Sequence, residues 1–80
     1  MPDCSMEERH LSSARRSLAE ADGEIRRHYE AANAAEQRGD HDEAQRLRNR
    51  AADAENRMGD LERNVSTAER RLEECRNRSD

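Results

Sequence analysis

Apolar residues in this chain recur at alternating steps of three and four, and the spacing is interrupted at one place only. Leu11, Ala14, Leu18, Ala21, Ile25, His28, Ala32 and Ala35 hold one phase, with His28 as its polar member; Ala44, Leu47, Ala51, Ala54, Met58, Leu61, Val65, Ala68, Leu72 and Cys75 hold a second. Such steps track the 3.6-residue helical repeat and place the side chains in one stripe, the seam spacing of a coiled coil. Carried forward, the first phase lands on Gly39 and Asp42, which offer no apolar side chain, so the register breaks at Arg38-Gly39-Asp40-His41. The pattern predicts an all-α fold, an antiparallel two-helix coiled-coil hairpin that occupies residues 1–80 as one domain. Helix A is expected over about 6–38, the turn at 39–41 and helix B over about 42–77.

The residues at the break suit a turn. Gly39 is free to take the left-handed conformation that ends a helix, and Asp40 with Glu43 has the spacing of a capping box for the next one. Ser5 with Glu8 predicts a second capping box at the start of helix A, and Arg76 and Arg78 suit the negative end of helix B. Ser79 and Asp80 are expected to fray. Gly23 and Gly59 fall inside the helices without shifting the seam and are read as exposed helical residues.

Organisation has to compensate for composition. Hydrophobic residues make up 31% of the chain, charged residues 42%, and there is one aromatic, a balance that overlaps with disordered sequences. Sorting decides the matter. Of the twenty seam positions between Cys4 and Cys75, all but Glu7 and His28 are hydrophobic, and the hydrophobic residues elsewhere are Met1, Met6, Ala19, Tyr29, Ala31, Ala34 and Ala52. This is enough to fill a thin seam and too little for a sizeable globular core.

Folding about Gly39 pairs positions whose numbers sum to 79. Leu11 then faces Ala68, Ala14 faces Val65, Leu18 faces Leu61, Ala21 faces Met58, Ile25 faces Ala54 and Ala32 faces Leu47. Large residues mostly oppose small ones, which suits closely approaching helices. The same register opposes Cys4 with Cys75 and predicts a disulfide staple at the open end. Beside the seam it brings Arg15 toward Glu62 and Glu24 toward Arg57, which attract, but Glu8 toward Glu69 and Asp22 toward Glu55, which repel. The apolar seam, not its charged flanks, is expected to set the pairing.

Few function classes survive this reading. A net charge of -4 disfavours general affinity for nucleic acid. No apolar run is long enough to span a membrane, and the N-terminal residues lack the pattern of a secretory signal, so a soluble chain is expected. The predicted disulfide favours an oxidising compartment or leaderless export. All fifteen basic residues are Arg, which fits a coding bias or escape from lysine-directed modification. Cys4, His10, His28, His41 and Cys75 show neither Cys-x-x-Cys nor His-x3-His spacing, so no metal site and no cofactor is expected. His28, in the seam opposite Ala51, reads as a tolerated histidine whose polar end reaches the edge, or as a pH-sensitive element. No nucleophile has a base and an orienting partner, and a two-helix rod offers no substrate pocket, so no enzymatic activity is expected.

Two short stretches resemble known motifs. Arg38-Gly39-Asp40 resembles the tripeptide of integrin-binding adhesion ligands and would stand at the tip of the rod. Gly39-Asp40-His41-Asp42-Glu43-Ala44, with Ala51 seven residues on, resembles the inter-helix turn of tetratricopeptide repeats and of microtubule-interacting and trafficking domains. That resemblance implies a helix-turn-helix geometry; the bulky early aromatic, the closing proline and the second copy of a repeat are absent from this sequence. The resulting expectation is a non-enzymatic structural or protein-interaction module, binding a protein partner or itself through Tyr29, Ala31, Ala34 and Ala52 near the tip. The alternative is an exported effector or adhesion-type ligand presenting Arg38, Gly39 and Asp40.

Overall fold

The computed structural model describes residues 3–78 as two helices, α1 (Ser5–Gln37) and α2 (His41–Asn77), which pack against each other as a hairpin. Met1, Pro2, Ser79 and Asp80 lie outside the described residues, and so does the fraying expected of the last two. At 1.5 Å per residue the helices are about 50 and 55 Å long. The hairpin accordingly measures 64 × 15 × 11 Å, a rod one helix pair thick.

Three residues reverse the chain. Gly39 has φ of +81°, the left-handed conformation that side chains resist. Its amide donates to the Glu36 carbonyl over 3.0 Å, and the Asp40 amide donates to the Ala35 carbonyl over 2.9 Å. This pair of bonds is a Schellman closure, which satisfies carbonyls that the end of α1 would leave open. Asp40 then becomes the N-cap of α2, its carboxylate accepting the Glu43 amide at 3.1 Å. The reciprocal half of the expected capping box is absent. Glu43 pairs with Arg46 one turn along, because the Asp40 amide is already committed to Ala35.

The start of α1 departs from its prediction. Ser5 does not cap: its amide and its hydroxyl both donate to the Asp3 carboxylate, at 3.0 and 2.5 Å, and Cys4 is the N-cap without a side-chain bond. Asp3 lies two residues before Ser5 and takes its amide, and the Glu8 amide donates to the Cys4 carbonyl at 2.9 Å, so the Ser5–Glu8 box does not form. These two bonds hold the Asp3 carboxyl below its ordinary pKa, the Ser5 hydroxyl contributing most.

Burial follows the spacing closely. All twenty predicted seam positions are buried or half-buried, and no described residue outside them is buried. Its character changes along the rod. Near the turn the core consists of alanines, with Ala32, Ala35, Ala44, Ala51 and Ala54 at 0% exposure. At the open end Leu11, Ala68 and Leu72 form a cluster against which Cys4 and Val65 pack. Between these regions Leu18, Met58 and Leu61 are only half-buried, since one neighbouring helix cannot cover a large side chain on every side.

The flanks correct the predicted charge pairing. Glu8 meets Arg76 at 3.7 Å instead of Glu69, Arg15 meets Glu69 at 3.6 Å instead of Glu62, and Glu36 meets Arg48 at 3.5 Å. Glu55 accepts a hydrogen bond from the Tyr29 hydroxyl and does not oppose Asp22, which pairs with Arg26 on its own helix at 3.4 Å. Side chains on a helix lean toward its own N-terminus. In an antiparallel pair they therefore converge when each Cα lies displaced toward the C-terminal end of its own helix, a shift of one heptad from the pairing predicted on that edge. Two expected repulsions become attractions. Glu24–Arg57, at 3.3 Å on the opposite edge, is as predicted. These pairs are solvated, so each contributes at most about 1 kcal/mol.

The interior glycines also differ from expectation, being half-buried and not exposed. A Cβ at Gly59 would meet nothing within 4 Å, whereas Gly39 has the strained φ. Opposite responses to alanine follow. Gly59→Ala should raise stability by about 1 kcal/mol, and Gly39→Ala should lower it by about 1 to 2 kcal/mol, read by urea denaturation of the oxidised protein.

Candidate functional site

Three parts of the rod carry side chains with chemical potential: the open end, the half-covered middle and the turn. At the open end Cys4 and Cys75 form a disulfide, with 6.0 Å between their Cα atoms and 71 positions between them in sequence. Helices in direct contact bring facing Cα atoms to this distance, so the staple is a consequence of the seam register. Glu7 stands one turn above Cys4 on the same stripe. One of its carboxylate oxygens lies in a group with the two sulfurs whose atoms are all within 4.8 Å of one another. Its Oε2 is buried and has no hydrogen-bond partner.

Glu7 was legible in the sequence only as a polar exception in an apolar seam. The signal for it is the Cys4-x-x-Glu7 spacing together with the predicted approach of Cys75, a pattern that Cys-x-x-Cys and His-x3-His spacings do not contain. His10 and His41 lie outside that group. Beyond Glu7 a surface groove of about 300 Å³ is lined by His10, Ala14, Asn64, Thr67, Ala68 and Arg71.

Along the middle of the rod a second groove, of about 370 Å³, runs beside Ala21 and Leu61 between Ser17, Glu24, Arg57 and Asp60. His28 follows it toward the turn. Its Nε2 lies 3.4 Å from the Glu24 carboxylate, which also receives Arg57 at 3.3 Å. The imidazole is half-buried in the seam with its polar end at the edge, the geometry of a tolerated histidine.

The residues considered for partner binding separate in space. Tyr29 is exposed at 40% and donates to Glu55, and Ala52, one turn before Glu55 on α2, shares that edge. Ala31 lies one heptad beyond Glu24, and Ala34 one turn further, so both belong to the other edge. All four are exposed. Arg38, Gly39 and Asp40 sit together at the tip as C-cap, left-handed residue and N-cap, and His41 spans the turn to Glu36 at 2.8 Å.

The hydrogen bond to Glu55 raises the Tyr29 pKa above its ordinary 10.0, because the neutral phenol donates to a carboxylate and its anion would face one. Tyr29 is the chain's one aromatic residue, so optical titration reads it alone. Its midpoint should lie above 10.0 and fall back toward that value in Glu55→Gln. The sign follows from linkage: a raised folded pKa gives a contribution that is complete below the unfolded value and lost as pH climbs through the folded one.

Among the described residues no helix is long and apolar enough to cross a membrane. No protein-family model, no curated protein and no solved structure matches this chain.

Proposed function

We propose that this chain is a non-enzymatic structural or protein-interaction module, a coiled-coil hairpin that uses its stapled rod to present a surface to a further helix. The observation that carries the reading is the incomplete covering of the seam. Among the described residues no large side chain is fully buried, and Leu18, Met58, Leu61 and Val65 are half-open along the rod. A two-helix pair can enclose alanines, as it does near the turn, but a third helix is needed to cover leucine-sized residues on all sides. Helix-in-groove packing on this stripe would bury apolar area that the hairpin leaves wet.

A second copy of the chain supplies the simplest third and fourth helices. Sedimentation equilibrium of the oxidised protein should give a mass that rises with concentration toward twice the monomer. Leu61→Arg should hold it at one chain, since a charge in the new interface lacks a partner. A wild-type protein that stays at one chain throughout, with Leu61→Arg indistinguishable from it, overturns the self-associating form of the proposal.

The ligand reading of Arg38-Gly39-Asp40 makes a different demand. The Asp40 carboxylate caps α2, so a receptor would compete with the Glu43 amide for it. Asp40→Asn separates the two uses because Asn caps about as well as Asp. An adhesion ligand would lose cell binding, whereas a scaffold would keep its stability and its associations.

A further inference from the structure

We propose that the reduced form of the hairpin holds a zinc ion at its open end, ligated by the Cys4 and Cys75 thiolates and the Glu7 carboxylate, so that the metal replaces the disulfide as the clip between the helices. Two observations carry it. The sulfurs and a Glu7 carboxylate oxygen form one group with every pair of atoms within 4.8 Å, contributed by both helices. In addition, the Glu7 Oε2 is buried without a hydrogen-bond donor, in a seam where apolar residues hold almost every other position. A carboxylate oxygen placed there without a donor is costly to desolvate.

The donor set selects the metal. Two thiolates favour a borderline-soft cation over calcium or magnesium, and zinc takes sulfur and carboxylate oxygen together in a tetrahedral shell. With Zn–S near 2.3 Å, two zinc-bound sulfurs stand about 3.8 Å apart, further than bonded sulfurs but within reach of side-chain rotation from Cα atoms 6.0 Å apart. The fourth position falls to water.

The redox step balances with a dithiol reductant. Two electrons and two protons pass to the disulfide, its S–S bond breaks to give two thiols, and the reductant closes to its own disulfide. Zinc then displaces both thiol protons, two Zn–S bonds and one Zn–O bond form, and the protons pass to solvent. The hairpin is thereby closed under oxidising and reducing conditions alike.

The test uses the full chain, reduced under anaerobic conditions and freed of reductant, and titrated with cobalt(II) and then zinc(II). One cobalt per chain is expected, with thiolate-to-cobalt charge-transfer absorption and the d–d bands of a tetrahedral site, both removed by zinc. The oxidised chain should bind none. Glu7→Gln should keep the stoichiometry and weaken cobalt binding at least 10-fold, and zinc should raise the melting temperature of the reduced wild type above that of the reduced Glu7→Gln variant. The proposal is overturned if the reduced wild type binds cobalt no better than the Cys4→Ser/Cys75→Ser variant, if Glu7→Gln binds as tightly as wild type, or if the end point is one metal per two chains.

Discussion

Replacing both cysteines, as Cys4→Ser/Cys75→Ser, is expected to lower the stability of the hairpin by roughly 4 kcal/mol, the largest effect of any change to this molecule. The bond joins positions separated by 71 in sequence, so it removes most of the conformations open to the unfolded chain. For a domain of this size that loss corresponds to a fall of roughly 15 to 30 °C in melting temperature. It is large because nothing else at that end can compensate: the core there is Leu11, Ala68 and Leu72, with Cys4 and Val65 at its margin. Thermal melts by circular dichroism, recorded without metal, read the effect directly. A paired serine variant that melts within a few degrees of the oxidised protein would show that the seam alone holds the helices together.

Leu72→Ala should produce the second largest loss, about 2 to 3 kcal/mol, toward the lower end of what buried leucines cost when truncated. Leu72 is 6% exposed and touches the cluster on which the staple sits. Truncation removes apolar contact and leaves a gap, but a rod this thin lets solvent and neighbouring side chains close part of it. The alanine layers near the turn should show the reverse sensitivity. Ala51 is at 0% exposure, so Ala51→Leu forces the helices apart and should cost about 1 to 3 kcal/mol, although it adds apolar surface. Chemical denaturation of both variants checks the pair. Equal tolerance of leucine and alanine at the two positions would mean that the helices are not in close contact near the turn.

Those opposite sensitivities show how much of the architecture is local information. The seam is one-dimensional: steps of three and four identify the buried stripe of each helix, and the break at Gly39 identifies the turn, because helical periodicity and left-handed φ are properties of a few neighbouring residues. Register followed from the same source. Once the turn is located, a short connection allows one antiparallel alignment, and Cys4 and Cys75 meet without any further assumption.

The helix start, the charged flanks and the Glu7 environment were decided in three dimensions. Asp3 took the capping bonds from the Ser5–Glu8 pair because two carboxylates competed for one amide, and the outcome depends on their positions in space. Glu8 reached Arg76, and Arg15 reached Glu69, because side chains lean along their helix axes, a displacement that residue numbering does not contain.

The sequence by itself determined that two helices would form, where they would reverse and which faces would be hidden, since each of those depends on spacing along one chain. Only the tertiary structure decided which charges meet and what surrounds the Glu7 carboxylate, since both depend on where side-chain ends lie between helices. A carboxylate set beside two sulfurs, with an oxygen that has no donor, is a property of that space, and it appears only once both helices are in place.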